Sequence, residues 1–236
     1  MKITTVLFDL DGTLLPMDQD AFVKVYFGLM AKRMAPHGYD AQKLIGAIWT
    51  GTKAMVANTG AVTNEEVFWN AFAQVFGAGV REDLPLFEEY YRTDFQKAQS
   101  ACGFHPGAAE TIALVKDLGL RCALATNPLF PAVATESRIR WAGLERADFS
   151  LVTTYENSRF CKPNPDYYRA ILEQLGVSPQ ECVMVGNDVS EDMVAESLGM
   201  QVFLLTDCLI NKDGADISRY PQGSFPELMA FLKRIA

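Results

Sequence analysis

In the second half of this 236-residue chain, short apolar runs alternate with segments of helical period, and this restricts the fold more than any other feature. Arg121–Thr126, Cys182–Gly186 and Gln201–Leu205 read as strands, and Phe149–Val152 as a shorter one. Between and around them, Pro106–Leu118, Pro131–Ala142, Pro165–Leu175 and Glu191–Leu198 read as helices closed by Gly119, Gly143, Gly176 and Gly199. Pro226–Ile235 reads as a final helix. Strands that alternate with helices build a parallel sheet covered on both faces. The expected class is therefore α/β, with a doubly wound parallel sheet. Ile3–Phe8, another apolar run rich in β-branched residues, is expected to join that sheet.

The segment between this first strand and Pro106 has a different texture. Phe22, Val25, Tyr26, Leu29 and Met30 recur at helical spacing, and Pro36-His37-Gly38 ends that run. A second helix is expected from Ala41 to about Ala57, and a third begins at Thr63-Asn64-Glu65-Glu66, with a cap and acids in its first turn. A fourth contains Pro85 early and carries Leu86, Phe87, Tyr90, Tyr91 and Phe95. The block reads as an inserted α-helical domain over 17–102, and 1–16 with 103–236 as the α/β core. Leu15–Asp20 and Ala98–His105 are the expected hinges.

Composition removes several classes of function. The balance of 21 basic against 29 acidic residues, −8 overall, argues against a broad nucleic-acid-binding surface. No run approaches the roughly 20 apolar residues that span a bilayer, so no membrane association is expected. The early apolar run is interrupted by Asp9 and Asp11, which does not suit a signal peptide. Cys102, Cys122, Cys161, Cys182 and Cys208 are widely spread with no C-x-x-C, as expected of free thiols in a reducing, cytoplasmic setting. With only His37 and His105, a zinc site is not expected, and both histidines read as structural or surface residues.

The chemistry gathers at the ends of the strands, where open α/β sheets bind ligands. Asp9-Leu10-Asp11-Gly12-Thr13 follows the first strand directly. Two carboxylates so placed read as a nucleophile with an acid/base, or as a metal site. An EF-hand loop is excluded because its glycine falls at the sixth position, whereas Gly12 is at the fourth. Thr126-Asn127, Lys162-Pro163 and Asn187-Asp188 followed by Asp192 point to the same edge. Singly, each also suits a helix cap, a turn or a solvated charge; their order along the chain is the stronger signal.

This ordered set resembles the haloacid dehalogenase-like hydrolase superfamily over essentially the whole chain. The matching residues are Asp9-Leu10-Asp11-Gly12-Thr13, Thr126, Lys162, and Gly186-Asn187-Asp188 with Asp192. The resemblance implies a Rossmann-like core with a helical C1 cap at 17–102. It also implies a Mg²⁺-dependent phosphatase that hydrolyses a small phosphorylated metabolite through an aspartyl-phosphate. Asp9 is then the nucleophile and Asp11 the acid/base. Thr126, Asn127 and Lys162 bind the phosphoryl group, and Asp9, the Asp11 carbonyl and Asp188 hold the metal. The commonest family form has Asp directly after the glycine, where this chain has Asn187, so Asn187 competes with Asp188. Asp192 either reaches the metal through water or orients Lys162. A phosphomutase and a dehalogenase are sibling alternatives, and a receiver-like regulatory protein is the alternative from another class. In the block, Lys24, Lys32, Arg33, Lys43 and Lys53 read as solvated cations, and Thr50-Gly51-Thr52-Lys53 is a segment able to enter the pocket.

Overall fold

The computed structural model describes residues 2–236. Five parallel strands form one sheet in the order β2-β1-β3-β4-β5. They are β1 (Thr5–Phe8), β2 (Arg121–Leu124), β3 (Cys182–Gly186), β4 (Gln201–Leu205) and β5 (Gln222–Gly223). Side chains alternate across the pleat, so neighbours in a strand face opposite layers. Val6, Phe8, Val183, Val185, Phe203 and Leu205 join one apolar layer with helices α5 (Pro106–Asp117) and α8 (Phe225–Ile235). Leu7, Met184, Val202 and Leu204 join the other with α7 (Pro165–Leu175). Both faces are covered, which explains why these strands are continuous apolar runs rather than alternating ones.

The block after β1 is helical, as its period requires. It contains α1 (Gln19–Met34), α2 (Ala41–Val56), α3 (Asn64–Phe76) and α4 (Leu84–Arg92). Asp18, Asp40 and Thr63 cap the first three by accepting backbone N–H bonds with their side chains. The chain leaves and re-enters the core at one point, where Gly103 N–H donates to the Pro16 carbonyl at 2.7 Å and Met17 pairs with Cys102.

Three expectations differ from the structure. Phe95 lies beyond the fourth helix, because the backbone breaks at Thr93 and continues as a 3₁₀ segment, Asp94–Ala101. The expected helix at Glu191–Leu198 is a 3₁₀ segment confined to Met193–Leu198, too short to sustain the wider α-helical ladder. Phe149–Val152 contributes only a bridge between Val152 and Leu124, along the outer edge of β2. The two-residue strand β5 escaped the sequence reading, since so short a run has no detectable period.

Among the described residues no helix is long and apolar enough to cross a membrane. All five cysteines are free.

Candidate active site

The carboxyl ends of β1, β2 and β3 open into one pocket of about 240 Å³. Asp9, Asp11, Thr126, Asn127, Asn187, Asp188 and Asp192 all line it, so seven of the eight residues read from the sequence share one wall. The eighth, Lys162, lies beneath that wall with no exposed side-chain area.

Lys162 joins the two ends of the acidic cluster. Its Nζ donates to Asp9 Oδ1 at 2.8 Å and to Asp192 Oδ1 at 2.6 Å. Burial disfavours the charged lysine, but Asp192 and Asp9 more than offset it and hold the ammonium well above its ordinary range. Burial pushes Asp192 the other way, upward, against the lowering influence of Lys162. Asp192 also accepts the Asp188 backbone N–H at 2.9 Å. Its carboxylate fills the space where Gly186 has no side chain, since a Cβ there would stand 2.1 Å from Asp192 Oδ2.

Gly12 is required twice at the other end. Its φ of +86° belongs to the left-handed region, and a Cβ would lie 2.4 Å from Asn187 Nδ2. That close approach docks Asn187 onto the loop after β1. Asn187 Oδ1 accepts from Thr13 Oγ1 at 2.8 Å, and Thr13 also reaches Asp9 Oδ2 at 3.3 Å. Asn187 Nδ2 donates to the Cys208 carbonyl at 2.7 Å. Asp188 is oriented differently: its Oδ1 accepts from Ser190 N–H and Oγ and from Glu191 N–H. Asn187 therefore touches the Asp9 cluster through Thr13, while Asp188 borders the pocket from the following turn.

Thr126 is buried, and its carbonyl accepts from Thr153 Oγ1 at 2.7 Å and Tyr167 Oη at 2.8 Å. Asn127 is braced on both sides: its Nδ2 donates to Glu191 Oε2 at 3.0 Å, and its Oδ1 accepts the Lys162 N–H at 3.3 Å. His105 accepts the Gly107 N–H at the start of α5 and stacks on Phe225, a structural role.

The main residue missed in the sequence is Arg138, on α6 (Ala132–Trp141). Its side chain is buried, and its Nη1 donates to Asp11 Oδ2. The guanidinium lies over the Phe130 ring at 4.4 Å. Helical period shows only that Arg138 shares the buried face of its helix with Ala134 and Thr135, and does not reveal its partner. Asp11 Oδ1 is buried without a hydrogen-bond partner. Burial raises the Asp11 carboxyl above its usual range, and Asp9 adds to the rise; Arg138 and Lys162 oppose it. Such a carboxyl retains a proton at higher pH than a free aspartic acid. Glu191 is a second residue not foreseen: it lines the pocket, and burial raises its carboxyl too.

The donors facing this pocket are oxygens, which suit a hard cation. Among the described residues no three His, Cys, Asp or Glu side chains converge as a ready-made metal cage. Mg²⁺ does not need one, because it is ordinarily held by one or two carboxylates together with waters and substrate phosphate. Two of the pocket carboxylates, Asp9 and Asp188, with the orphaned Asp11 oxygen on the same wall, are compatible with that mode.

A profile of the haloacid dehalogenase-like hydrolases matches residues 3–197. The chain belongs to that family and is a hydrolase. It is 27% identical to the phosphoglycolate phosphatase of Escherichia coli O157:H7 over 212 residues, 84% of this chain and 79% of that protein. It is 30% identical to YhcW of Bacillus subtilis (strain 168) over 114 residues, so that match spans 48% of this chain and only half of YhcW's length. In fold it is similar to a 2-haloacid dehalogenase from Pseudomonas syringae pv. Tomato DC3000, with a TM-score of 0.65, 21% identity and coverage of 99% of this chain and 100% of that one.

Proposed function

We propose that this hydrolase is a Mg²⁺-dependent phosphatase acting on a small phosphate monoester through an aspartyl-phosphate at Asp9. The observation that carries this reading is the buried Asp9 carboxylate, hydrogen-bonded to Lys162 at 2.8 Å, with Asp11 on the same pocket wall. Phosphatase-named relatives of similar length add support.

The chemistry follows from the side chains. An Asp9 carboxylate oxygen attacks phosphorus, and the bond from phosphorus to the ester oxygen breaks. Asp11 gives its proton to the departing oxygen. It then removes a proton from the water that attacks the acyl phosphate, which releases inorganic phosphate and restores Asp9. Lys162 spreads positive charge under the nucleophile, and Asp192 fixes the direction of that ammonium. Thr126 and Asn127, which line the pocket, bind the phosphoryl oxygens in this reading. Mg²⁺ held by Asp9, the Asp11 carbonyl and Asp188 would neutralise charge on the phosphoryl oxygens. Asn187 braces the Asp9 loop through Thr13.

The helical block at 17–102 serves as a C1-type cap on the core at 1–16 and 103–236. The single crossing at Pro16 and Gly103 supports this, as do Gln19, Phe22, Val23 and Trp49, which share the pocket with Asp9.

The test is phosphate release from a panel of monoesters with Mg²⁺, with chelator, and by Asp9→Asn. Turnover that needs Mg²⁺ and vanishes in the variant is expected. Halide release from 2-haloacids without phosphate release would overturn the reading in favour of a dehalogenase.

A further inference from the structure

We infer that an apolar cavity beside the acidic pocket holds the leaving group, so that the substrate is a phosphate monoester of an uncharged, ring-sized apolar alcohol. This rests on the phosphatase reading and deepens it.

The cavity lies within the helical block and against the core, and has a volume of about 150 Å³. An apolar cavity of about 150 Å³ accommodates one benzene-sized molecule. It adjoins the acidic pocket, and Val23, Trp49, Leu129 and Phe130 line both. An ester with its phosphorus at Asp9 would have its alcohol portion next to this space. Trp49, 45% exposed, stands where the two spaces meet, its ring edge-on to Phe27 at 5.5 Å. Deeper in, Gly51 lets Phe68 close the wall, because a Cβ at Gly51 would lie 2.4 Å from that ring.

Charge decides the class of alcohol. Among the described residues no lysine or arginine lines either space, and Glu88 is the one charged residue on the cavity wall. Arg138 lies beyond Phe130 with its guanidinium committed to Asp11 and Thr135. A carboxylate such as that of glycolate would enter without a cation and near a like charge, which is costly away from water. On the wall the Tyr26 and Tyr91 hydroxyls bond to each other at 3.0 Å, and Trp69 Nε1 donates to Tyr155 Oη at 3.4 Å. Apart from Thr52 and Glu88, these walls present mainly ring and aliphatic surface to a ligand.

The experiment measures kcat/KM for benzyl phosphate, ethyl phosphate and phosphoglycolate with Mg²⁺, in the parent, Thr52→Phe and Thr52→Lys. Thr52 lines the cavity from α2 and is none of the candidate catalytic residues. The parent is expected to favour benzyl phosphate over both others by about tenfold or more, mainly through KM. Thr52→Phe fills the space and erases the advantage of benzyl over ethyl. Thr52→Lys supplies a cation and shifts preference toward phosphoglycolate. Benzyl alcohol alone should perturb tryptophan emission in the parent and not in Thr52→Phe. Phosphoglycolate turned over as well as benzyl phosphate by the parent would overturn this inference and leave the phosphatase reading standing. Absence of phosphate release from every ester would overturn both. If Thr52→Phe fails to fold, the parent's ranking of the three esters decides.

Discussion

Arg138 and Asp11 lie 127 residues apart in sequence and are joined by a hydrogen bond inside the protein. A buried guanidinium left without its carboxylate is expensive, and so is the carboxylate left without its cation. This pair ties α6 to the loop after β1 and fixes the direction of the Asp11 side chain.

Arg138→Gln should therefore cost stability, about 3–5 kcal/mol, as measured by denaturant unfolding. It should also lower kcat by about 100-fold, because a misdirected acid/base is a positioning loss. Arg138→Lys should restore part of both. A folded Arg138→Gln protein with the parent's kcat would remove Arg138 from the account.

The Lys162 ammonium serves Asp9 and Asp192 together. Lys162→Met leaves two carboxylates facing each other, and should destabilise the protein by about 3–5 kcal/mol and abolish turnover. Adding Asp192→Asn removes one of those charges. The double variant should regain stability in thermal unfolding but no phosphate release, separating the structural from the catalytic part of the lysine's role.

Gly12→Ala should be among the most damaging small substitutions in the chain. It places a methyl group at a φ of +86° and against Asn187. The strain and the clash together should cost about 1–3 kcal/mol or more in equilibrium unfolding. The variant should also lower kcat by displacing the Thr13–Asn187 contact. Parent-like stability would show that the loop has more freedom than this geometry allows.

Asp148 tests electrostatics away from the pocket. Burial would raise its carboxyl, but the hydrogen bonds from Lys116 and the Glu145 backbone N–H outweigh this and hold it below its ordinary range. A carboxyl depressed by folding stabilises the native state above its unfolded pKa of about 3.9, and that contribution disappears as pH falls through the lower folded value. Asp148→Asn should be less stable than the parent at neutral pH by about 1 kcal/mol or less, since Lys116 is half-exposed. Unfolding curves of the two proteins should converge in acid.

The parallel sheet was legible because its strands are buried on both faces and its helices are closed by glycines. Strands β3 and β4 and helix α7 have the boundaries their apolar runs and caps dictate. Asp9, Asp11 and Asp188 were legible because strand ends in such sheets are where ligands bind. Arg138 was not, because its partner is far away in sequence and period alone reads its position as one for an apolar residue. Nor could sequence show that Asn187 faces Thr13 while Asp188 turns toward Ser190, since that depends on how closely Gly12 lets two loops approach.

The most direct test of the account is whether Asp9 carries phosphorus during turnover. Asp11→Asn, which retains Asp9 and is expected to slow hydrolysis of the proposed acyl phosphate, should be mixed with a reactive phosphate ester and Mg²⁺, quenched in acid and analysed by peptide mass spectrometry. A phosphoryl group on the peptide containing Asp9, absent from Asp9→Asn controls, is the predicted result. Rapid phosphate release by the Asp9→Asn protein, with no adduct on the Asp9 peptide in Asp11→Asn, would contradict it.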